Sequence, residues 1–385
     1  MKPVVTISGG GIIGSYISLR LDFNNIDSII IEKSIKRPPP KERIRTLTLN
    51  PHSKNLLDEL GINLKYSKIK KINVIDGEGT GKIDFSSTEI DSEDLSYVVF
   101  FDELQSALQE RVIERTLFEA QIHDIKESEI NDPCEIILSD KKRFFSQLVA
   151  GCDGRNSNVA KIASLEPLVG DYKQIAMTFT ARCNLNDLNI AHQIFSEKGI
   201  FAIMPLPEYS EQSTHTIVWS VDNTKILNET PEDYVKANIA YFEKKLGEKI
   251  EINSNILSFN LLNHHFQTYV CGSVALIGDA AHSIHPLAGQ GINLGFADAD
   301  AFCEELISAY EEKMFIDKRL MLKKYEIRRK NMNHLMLKSM DFFVDLFRSD
   351  NIYLKLLRNI GLSGVNKTEF LKKFFINHAS GNNKI

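Results

Sequence analysis

Among 385 residues there are only five cysteines, and no apolar run approaches the ~18 residues that a membrane-crossing helix requires. Cys134, Cys152, Cys183, Cys271 and Cys303 are odd in number, scattered and never spaced Cys-x-x-Cys. That spacing argues against a disulfide framework or a zinc module and fits a reducing cytoplasm. The start runs from Met1 into glycines without an apolar stretch or cleavage site, so a secretory leader is not expected. The Gly-x-Ser-x-Gly elbow of a Ser-His-Asp hydrolase is missing, and no repeat suggests a solenoid or propeller. An excess of positive charge is confined to one segment. Between Lys313 and Lys373, 15 Lys or Arg face 6 Asp or Glu, while the net charge of the chain is −5. The preceding body is therefore strongly acidic, which speaks against nucleic acid as a partner. The basic tail reads first as a solvated helical face and second as a contact for an anionic membrane surface.

What is present is the composition of a folded protein, 43% hydrophobic and 25% charged, in a chain longer than one ordinary domain. Val4-Val5-Thr6-Ile7-Ser8 is a β-branched run suited to a buried strand. Glycines follow, then a dense apolar helix, and Ser28-Ile29-Ile30-Ile31-Glu32 forms a second strand ending in an acid. The proline-rich stretch 36–43 must be loop. Leu56 to Gly61 reads as a helix end, residues 69–96 as short strands around Gly77, Gly79 and Gly81, and residues 103–112 as a helix. Strand signals recur at 134–138 and 147–150, and residues 172–259 alternate like a half-exposed sheet interrupted by a helix over 231–246. After a strand at 273–277 the chain reads as helical from about 292.

Gly9-Gly10-Gly11-Ile12-Ile13-Gly14 fits Gly-x-Gly-x-x-Gly between a strand and a helix. Gly9 permits the tight turn, Gly11 lets a pyrophosphate approach the backbone, and Gly14 lets helix and strand pack closely. Glu32, followed by Lys33, stands where a carboxylate can accept both ribose hydroxyls of an adenosine. A bare glycine motif is equally a structural turn; its strand, helix and acid in register make it a dinucleotide site. It does not separate NAD from FAD. Val149 to Ser157 adds Asp153-Gly154 after a strand, which alone is a common turn. The third segment, Gly278-Asp279-Ala280-Ala281-His282-Ser283-Ile284-His285-Pro286-Leu287-Ala288-Gly289-Gln290-Gly291-Ile292-Asn293, is more specific. An acid at a strand end can hold a chain of sugar-like hydroxyls. Amides from Gly289 to Asn293 at a helix start would face a group that becomes negative, as reduced flavin does.

Together these segments resemble those of FAD-dependent aromatic hydroxylases with the p-hydroxybenzoate hydroxylase fold and, more narrowly, the hydroxylases of ubiquinone biosynthesis. Arg45-Thr46-Leu47-Thr48-Leu49-Asn50 resembles that family's early flavin-contacting segment. Tyr172 to Ala176 resembles its first substrate-domain strand, and Phe195 with Gly199 to Leu206 the strand pair beside the flavin. Tyr325-x-x-Arg328-Arg329, Asp341-x-x-x-Asp345-x-Phe347 and Ala379-Ser380-Gly381 resemble its helical tail. The resemblance implies an α/β fold: a Rossmann-like FAD-binding domain over 1–70, 97–168 and 262–300, an inserted sheet-rich substrate domain over 71–96 and 169–261, and a helical C-terminal region over 301–385.

It further implies FAD as cofactor, NAD(P)H as reductant and O2 as co-substrate. Glu32 would bind the adenosine ribose and Arg45 would sit near the diphosphate or ribityl chain. Asp153 and Gly154 would serve the second nucleotide motif, Gly278 and Asp279 the ribityl hydroxyls. Pro286, Gly289, Gln290, Gly291, Ile292 and Asn293 would border the isoalloxazine. Two positions depart from the family: Phe101-Asp102 where it carries an Arg, and Ala160-Lys161 where the Asp-Gly motif ends in Arg.

The implied reaction inserts one oxygen atom of O2 into the ring of a polyprenylated phenol through a flavin C4a-hydroperoxide held away from water. A small soluble aromatic substrate, or a non-catalytic FAD-holding subunit, are the alternatives. Association with other quinone-biosynthesis proteins is compatible with the resemblance, and the oligomeric state stays open. Phe195, Phe201, Met204, Leu206 and Trp219 could wall the substrate, though each is an ordinary core residue. His192, Tyr172 and Tyr209 are candidate bases among which spacing does not choose. His264-His265 and His282-x-x-His285 lack metal-spaced partners and read as structural; no metal is implied. Met336, Met340, Phe343 and Phe347 form an apolar stripe with Lys338, Arg348, Lys355 and Arg358 around it, which suits packing on the flavin domain or a membrane surface.

Overall fold

The computed structural model describes residues 2–35, 43–90, 92–129, 132–185, 187–207, 214–283, 290–311 and 317–348, with side chains throughout except at 290 and 339–348. Strand β1 (Val5–Ser8) is fully buried and lies at the centre of a six-stranded sheet. It pairs in parallel with β2 (Ser28–Ile31) on one side and with Leu148–Gly151 on the other. Val274–Leu276 adds to Leu148–Gly151, again in parallel, so the sheet draws on both ends of the chain. The strands are apolar runs rather than alternating ones because both faces are covered, with Ile122, Ile136 and Leu138 of a small antiparallel sheet in the same core as α1. Helix α1 (Ile12–Phe23) packs on this sheet with the helix Gln290–Glu311, where Tyr16 meets Phe296 edge to face at 5.3 Å.

A second, nine-stranded sheet runs His282–Ser283, Leu257–Phe266, Pro167–Arg182, His215–Asp222, Gly199–Pro205, Ile190–Ser196, Lys71–Asp76 and Lys82–Ser86, with Glu251–Ile252 beside Pro167–Arg182. It therefore takes in the short strands after residue 69 and continues past residue 261 to Phe266. The short pair of His282 with His265 and Ser283 with His264 ties it to the third glycine segment. One face is closed by the helix Pro231–Leu246, which starts on the Thr230 hydroxyl with Pro231 in its first turn and stops at Gly247 in the left-handed region. Phe242 stacks on Phe201 at 4.2 Å, and fully buried Trp219 donates from Nε1 to the Lys198 carbonyl at 2.8 Å.

A three-stranded sheet of Thr46–Leu49, Ser96–Phe100 and Ser67–Ile69 stands between the two large ones. The helix expected over 103–112 is Phe101–Arg111, starting two residues earlier directly off the strand Ser96–Phe100. The C-terminal part is helical as Gln290–Glu311 and Lys318–Arg348. Among the described residues no helix is long and apolar enough to cross a membrane.

Candidate cofactor-binding active site

The glycine turn is built as its spacing requires. Gly9 has φ +101°, and a Cβ there would meet the Cys152 carbonyl oxygen at 2.5 Å. A Cβ on Gly14 would drive into the Gly9 carbonyl, so the third glycine sets how closely α1 sits on β1. Gly11 differs: a Cβ there would have nothing within 4 Å. Its surroundings are open on the side where a phosphate would approach. Glu32 closes the turn from β2, its Oε2 accepting from the Gly10 amide at 2.6 Å and its Oε1 from the Ser34 amide at 2.8 Å. Ile12 is buried in the core below, and Lys33 beside Glu32 is exposed. Gln109, which the sequence gave no reason to single out, donates from Nε2 to the Gly10 carbonyl at 2.6 Å.

Asp153 works mainly on the protein. Its Oδ2 accepts from the amides of Asn158 at 2.8 Å and Val159 at 3.1 Å, pinning the short helix Asn158–Ile162 behind the end of β1. Oδ1 is buried with no hydrogen-bond partner among the described residues. Gly154 follows with φ +79° and open space where a Cβ would stand.

The first and third glycine segments meet. Gly278 has φ +62°, and a Cβ there would lie 3.4 Å from the Gly295 Cα and 3.6 Å from Ile13. A Cβ on Gly295 would crowd the same Ile13 at 3.1 Å. Ile13 of α1 is thus clamped between the turn before Asp279 and the helix Gln290–Glu311. Asp279 is open to solvent, yet protein walls it closely enough that burial raises its pKa, opposed by His282, Arg45 and Arg155. Accessibility and desolvation differ because a cleft floor is reached from one side and enclosed on the others; accessibility decides whether a ligand can touch it. Arg45 reaches the same cleft, its guanidinium 4.2 Å over the Phe101 ring and within the fields of Asp279 and Asp102. Asp102 therefore faces Arg45; burial raises its pKa while Arg45 and Arg43 oppose that rise.

Residues 284–289 lie outside the described residues, Pro286 and Gly289 among them, as does the side chain of Gln290. Gly291 and Ile292 occupy the first helical turn, whose amides have no intrahelical acceptors, and a Cβ on Gly291 would meet nothing within 4 Å. The Asn293 side chain is spent on the fold. Its Nδ2 donates to the Thr48 carbonyl at 2.9 Å and its Oδ1 accepts from the Asn50 amide at 2.8 Å, fastening this helix to the strand Thr46–Leu49.

The nine-stranded sheet separates the wall candidates. Phe201 and Trp219 face the helix Pro231–Leu246 and belong to that core. His192 is opposite Ile203, and Ile203 opposite Ile217, which puts it on the helix-covered side. Burial lowers its pKa, with Lys82 adding to the effect. Leu206 is buried. On the other side, Phe195 packs with Tyr172, Ala176 and Leu261, while Met204 packs with Ile69, Val98 and Ala191 and receives the Thr48 hydroxyl at 3.4 Å. Thr46 and Thr216 meet there through their hydroxyls at 3.1 Å. Of the three candidate bases, Tyr172 is on this side; Tyr209 lies outside the described residues. His282 is buried and donates to Asp298, while burial pushes His264 and His265 down to about 4.

A family model for an FAD-binding domain matches residues 2–339. The chain belongs to that family. It is 28% identical over 397 residues to 3-demethoxyubiquinol 3-hydroxylase of Escherichia coli, covering 98% of each protein. Ubiquinone hydroxylase UbiL of Rhodospirillum rubrum is 27% identical, over 99% of this chain and 90% of that one. The human mitochondrial ubiquinone biosynthesis monooxygenase COQ6 is 26% identical, over 98% and 92%. In fold the chain is similar to p-nitrophenol 4-monooxygenase PnpA of Pseudomonas putida, with a TM-score of 0.78 at 15% identity over 99% of both chains. It is also similar to Klebsiella pneumoniae HpxO complexed with FAD and uric acid, with a TM-score of 0.76 at 16% identity over 98% and 96%. The α/β architecture with an FAD domain is therefore the family's own.

Proposed function

We propose that this chain is an FAD-dependent monooxygenase that hydroxylates the aromatic ring of a polyprenylated precursor in ubiquinone biosynthesis, with NAD(P)H as reductant and O2 as co-substrate. The observation that carries the cofactor reading is the clamp on Ile13, which joins the Gly9–Gly14 turn to Gly278 and Asp279 so that one molecule can span both. Open space at Gly11, the unpartnered Asp153 Oδ1 and the accessible Asp279 carboxylate fit FAD. Glu32 would take the adenosine ribose, the turn amides and Arg45 the diphosphate region, and Asp279 the ribityl hydroxyls. Gly291 and Ile292 would turn helix-start amides toward the ring edge that gains negative charge.

When bound, FAD supplies the transfer of electrons to O2 and of one oxygen atom to the substrate ring. This chain's part is to position the two rings and exclude water. The side of the nine-stranded sheet bearing Phe195 and Met204 is apolar, and with residues 71–96 and 169–261 it would form the substrate domain. The names of the curated relatives support a quinone precursor as substrate.

The outer face of the C-terminal helix supports a reading in which the protein meets a membrane surface to reach such a substrate. Leu320, Ile327 and Leu335 are 45%, 58% and 50% exposed, among Arg319, Lys324, Lys330 and Lys338.

The purified protein should be yellow and release FAD on denaturation. In air, a deletion strain should accumulate a quinone precursor lacking one ring oxygen. Normal quinone content in that strain, beside flavin-bearing protein, would assign the chain a small soluble aromatic substrate instead.

A further inference from the structure

Asp298 lies one turn beyond Gly295 on the helix Gln290–Glu311 and is fully buried. Four donors converge on its carboxylate. Oδ2 accepts from His282 Nε2 at 2.5 Å and from the Gly278 amide at 3.2 Å. Oδ1 accepts from Arg329 Nε at 2.7 Å and from Asn333 Nδ2 at 2.9 Å. Arg329 also donates from Nη2 to the Asn333 Oδ1 at 3.0 Å, so these two neighbours on the helix Lys318–Arg348 act as one clamp. Burial opposes ionisation of Asp298, but His282 and Arg329 hold its carboxyl below the usual carboxylate range.

Packing alone does not call for such a group, since apolar residues of similar size serve a core as well as a buried ion pair does. Its placement has a geometric effect. Asp298 is the acceptor for the Gly278 amide, and Gly278 holds the left-handed turn that carries Asp279 into the cleft. The C-terminal helix thereby reaches the cofactor cleft through two hydrogen bonds in series.

We propose that Arg329 and Asn333 are positioning residues for the flavin-side end of the cofactor site: through Asp298 they fix the Gly278 amide and so aim the Asp279 carboxylate. The proposal rests on the reading that Asp279 holds the ribityl hydroxyls of FAD. It implies that the two ends of the site have separable affinities. The adenosine end, at Gly9–Gly14 and Glu32, does not depend on the clamp; the flavin end does.

The full chain, stripped of flavin, is titrated calorimetrically with FAD and separately with ADP. Arg329→Gln should weaken FAD about tenfold or more and Asn333→Ala about threefold, with ADP affinity within about twofold of wild type for both. Arg329→Lys should recover part of the loss, and the bound flavin of the weakened variants should shift its visible absorption toward that of free FAD. FAD affinity unchanged in both variants, or FAD and ADP affinity falling together, overturns the proposal. If Arg329→Gln does not fold, Asn333→Ala, which removes one neutral donor, decides between the same outcomes. Asp279→Ala separates the two levels. If it leaves FAD affinity intact, the underlying site reading fails; if it weakens FAD while the clamp variants do not, only this inference fails.

Discussion

Gly11 and Gly14 stand three residues apart in one turn and meet opposite surroundings. A side chain at Gly14 strikes the Gly9 carbonyl, whereas one at Gly11 projects into open space. Gly14→Ala should therefore cost stability, about 1–3 kcal/mol in a denaturant titration, as overpacking between α1 and β1 does. Gly11→Trp should leave the flavin-free protein within about 0.5 kcal/mol of wild type, as surface substitutions do, yet abolish FAD retention. A Gly11→Trp protein that stays fully yellow would refute the site. Gly9, Gly14 and Gly278 were legible because close backbone approach or a left-handed turn forces glycine at each. Gln109, Asp298 and Asn333 were not. Nothing local marks a glutamine, an aspartate or an asparagine as bonded to a residue 20 to 99 positions away.

His215 makes a second prediction at the same scale. It is fully buried, its Nδ1 bonded to the Thr214 hydroxyl at 2.7 Å and its Nε2 without a hydrogen-bond partner among the described residues. Burial, with His192 adding, pushes it down to about 4 from its ordinary 6.5. The unfolded chain then binds the proton first as pH falls. The stability that neutral His215 contributes is complete above pH 6.5 and is lost progressively down to about pH 4. Thermal melting should fall between pH 7 and pH 4.5, and His215→Phe should flatten that slope; an unchanged slope would remove His215 from the titration.

At the scale of elements, the helix Pro231–Leu246 and the sheet face beneath it form a core that does not touch the cofactor cleft. Trp219→Ala should cost about 3–5 kcal/mol in denaturant unfolding, while the native fraction keeps its FAD. A parallel loss of flavin affinity would mean that the two faces of the sheet are coupled. This helix could be read from sequence to the residue, because Thr230, Pro231 and Gly247 mark both ends chemically. The helix at Phe101–Arg111 has no side-chain cap, and it starts two residues before the sequence pattern indicates. The sheet face that each wall candidate occupies was equally hidden: Phe201 and Met204, three apart in one strand, must point to opposite sides, but only the packing shows that the helix covers Phe201's side.

Over the whole molecule, charge is distributed unevenly, but part of the basic segment is already paired within the structure. Arg329 is tied to Asp298, Arg328 to Glu304 and Glu305, and Lys323 to Glu326. Lys318 is buried, donating to the Asp132 carbonyl at 2.6 Å and to the Ser273 hydroxyl at 2.8 Å. A tally of sequence charge thus overstates what a membrane would meet. Met336 packs beside Leu294 and Leu337, as the helical stripe suggested. Side chains of Met340, Phe343, Phe347 and Arg348, and all of Lys355 and Arg358, lie outside the described residues. The remaining outer face supports one expectation. Replacing Arg319, Lys324, Lys330 and Lys338 with Gln should reduce flotation with anionic vesicles and leave binding to neutral vesicles unaltered. Equal flotation of variant and wild type would dismiss the surface contact.

The order of strands around β1 has a consequence for synthesis. Ribosomes release the Gly9–Gly14 turn within the first moments of translation, but its partner strands arrive piecemeal, at Ser28–Ile31, then Leu148–Gly151, and finally Val274–Leu276. The nascent polypeptide must carry an unfinished hydrophobic layer until nearly three-quarters of it has emerged, a long exposure for a topology dominated by distant pairings. Premature stop codons before Val274 should consequently yield aggregates that never colour with flavin.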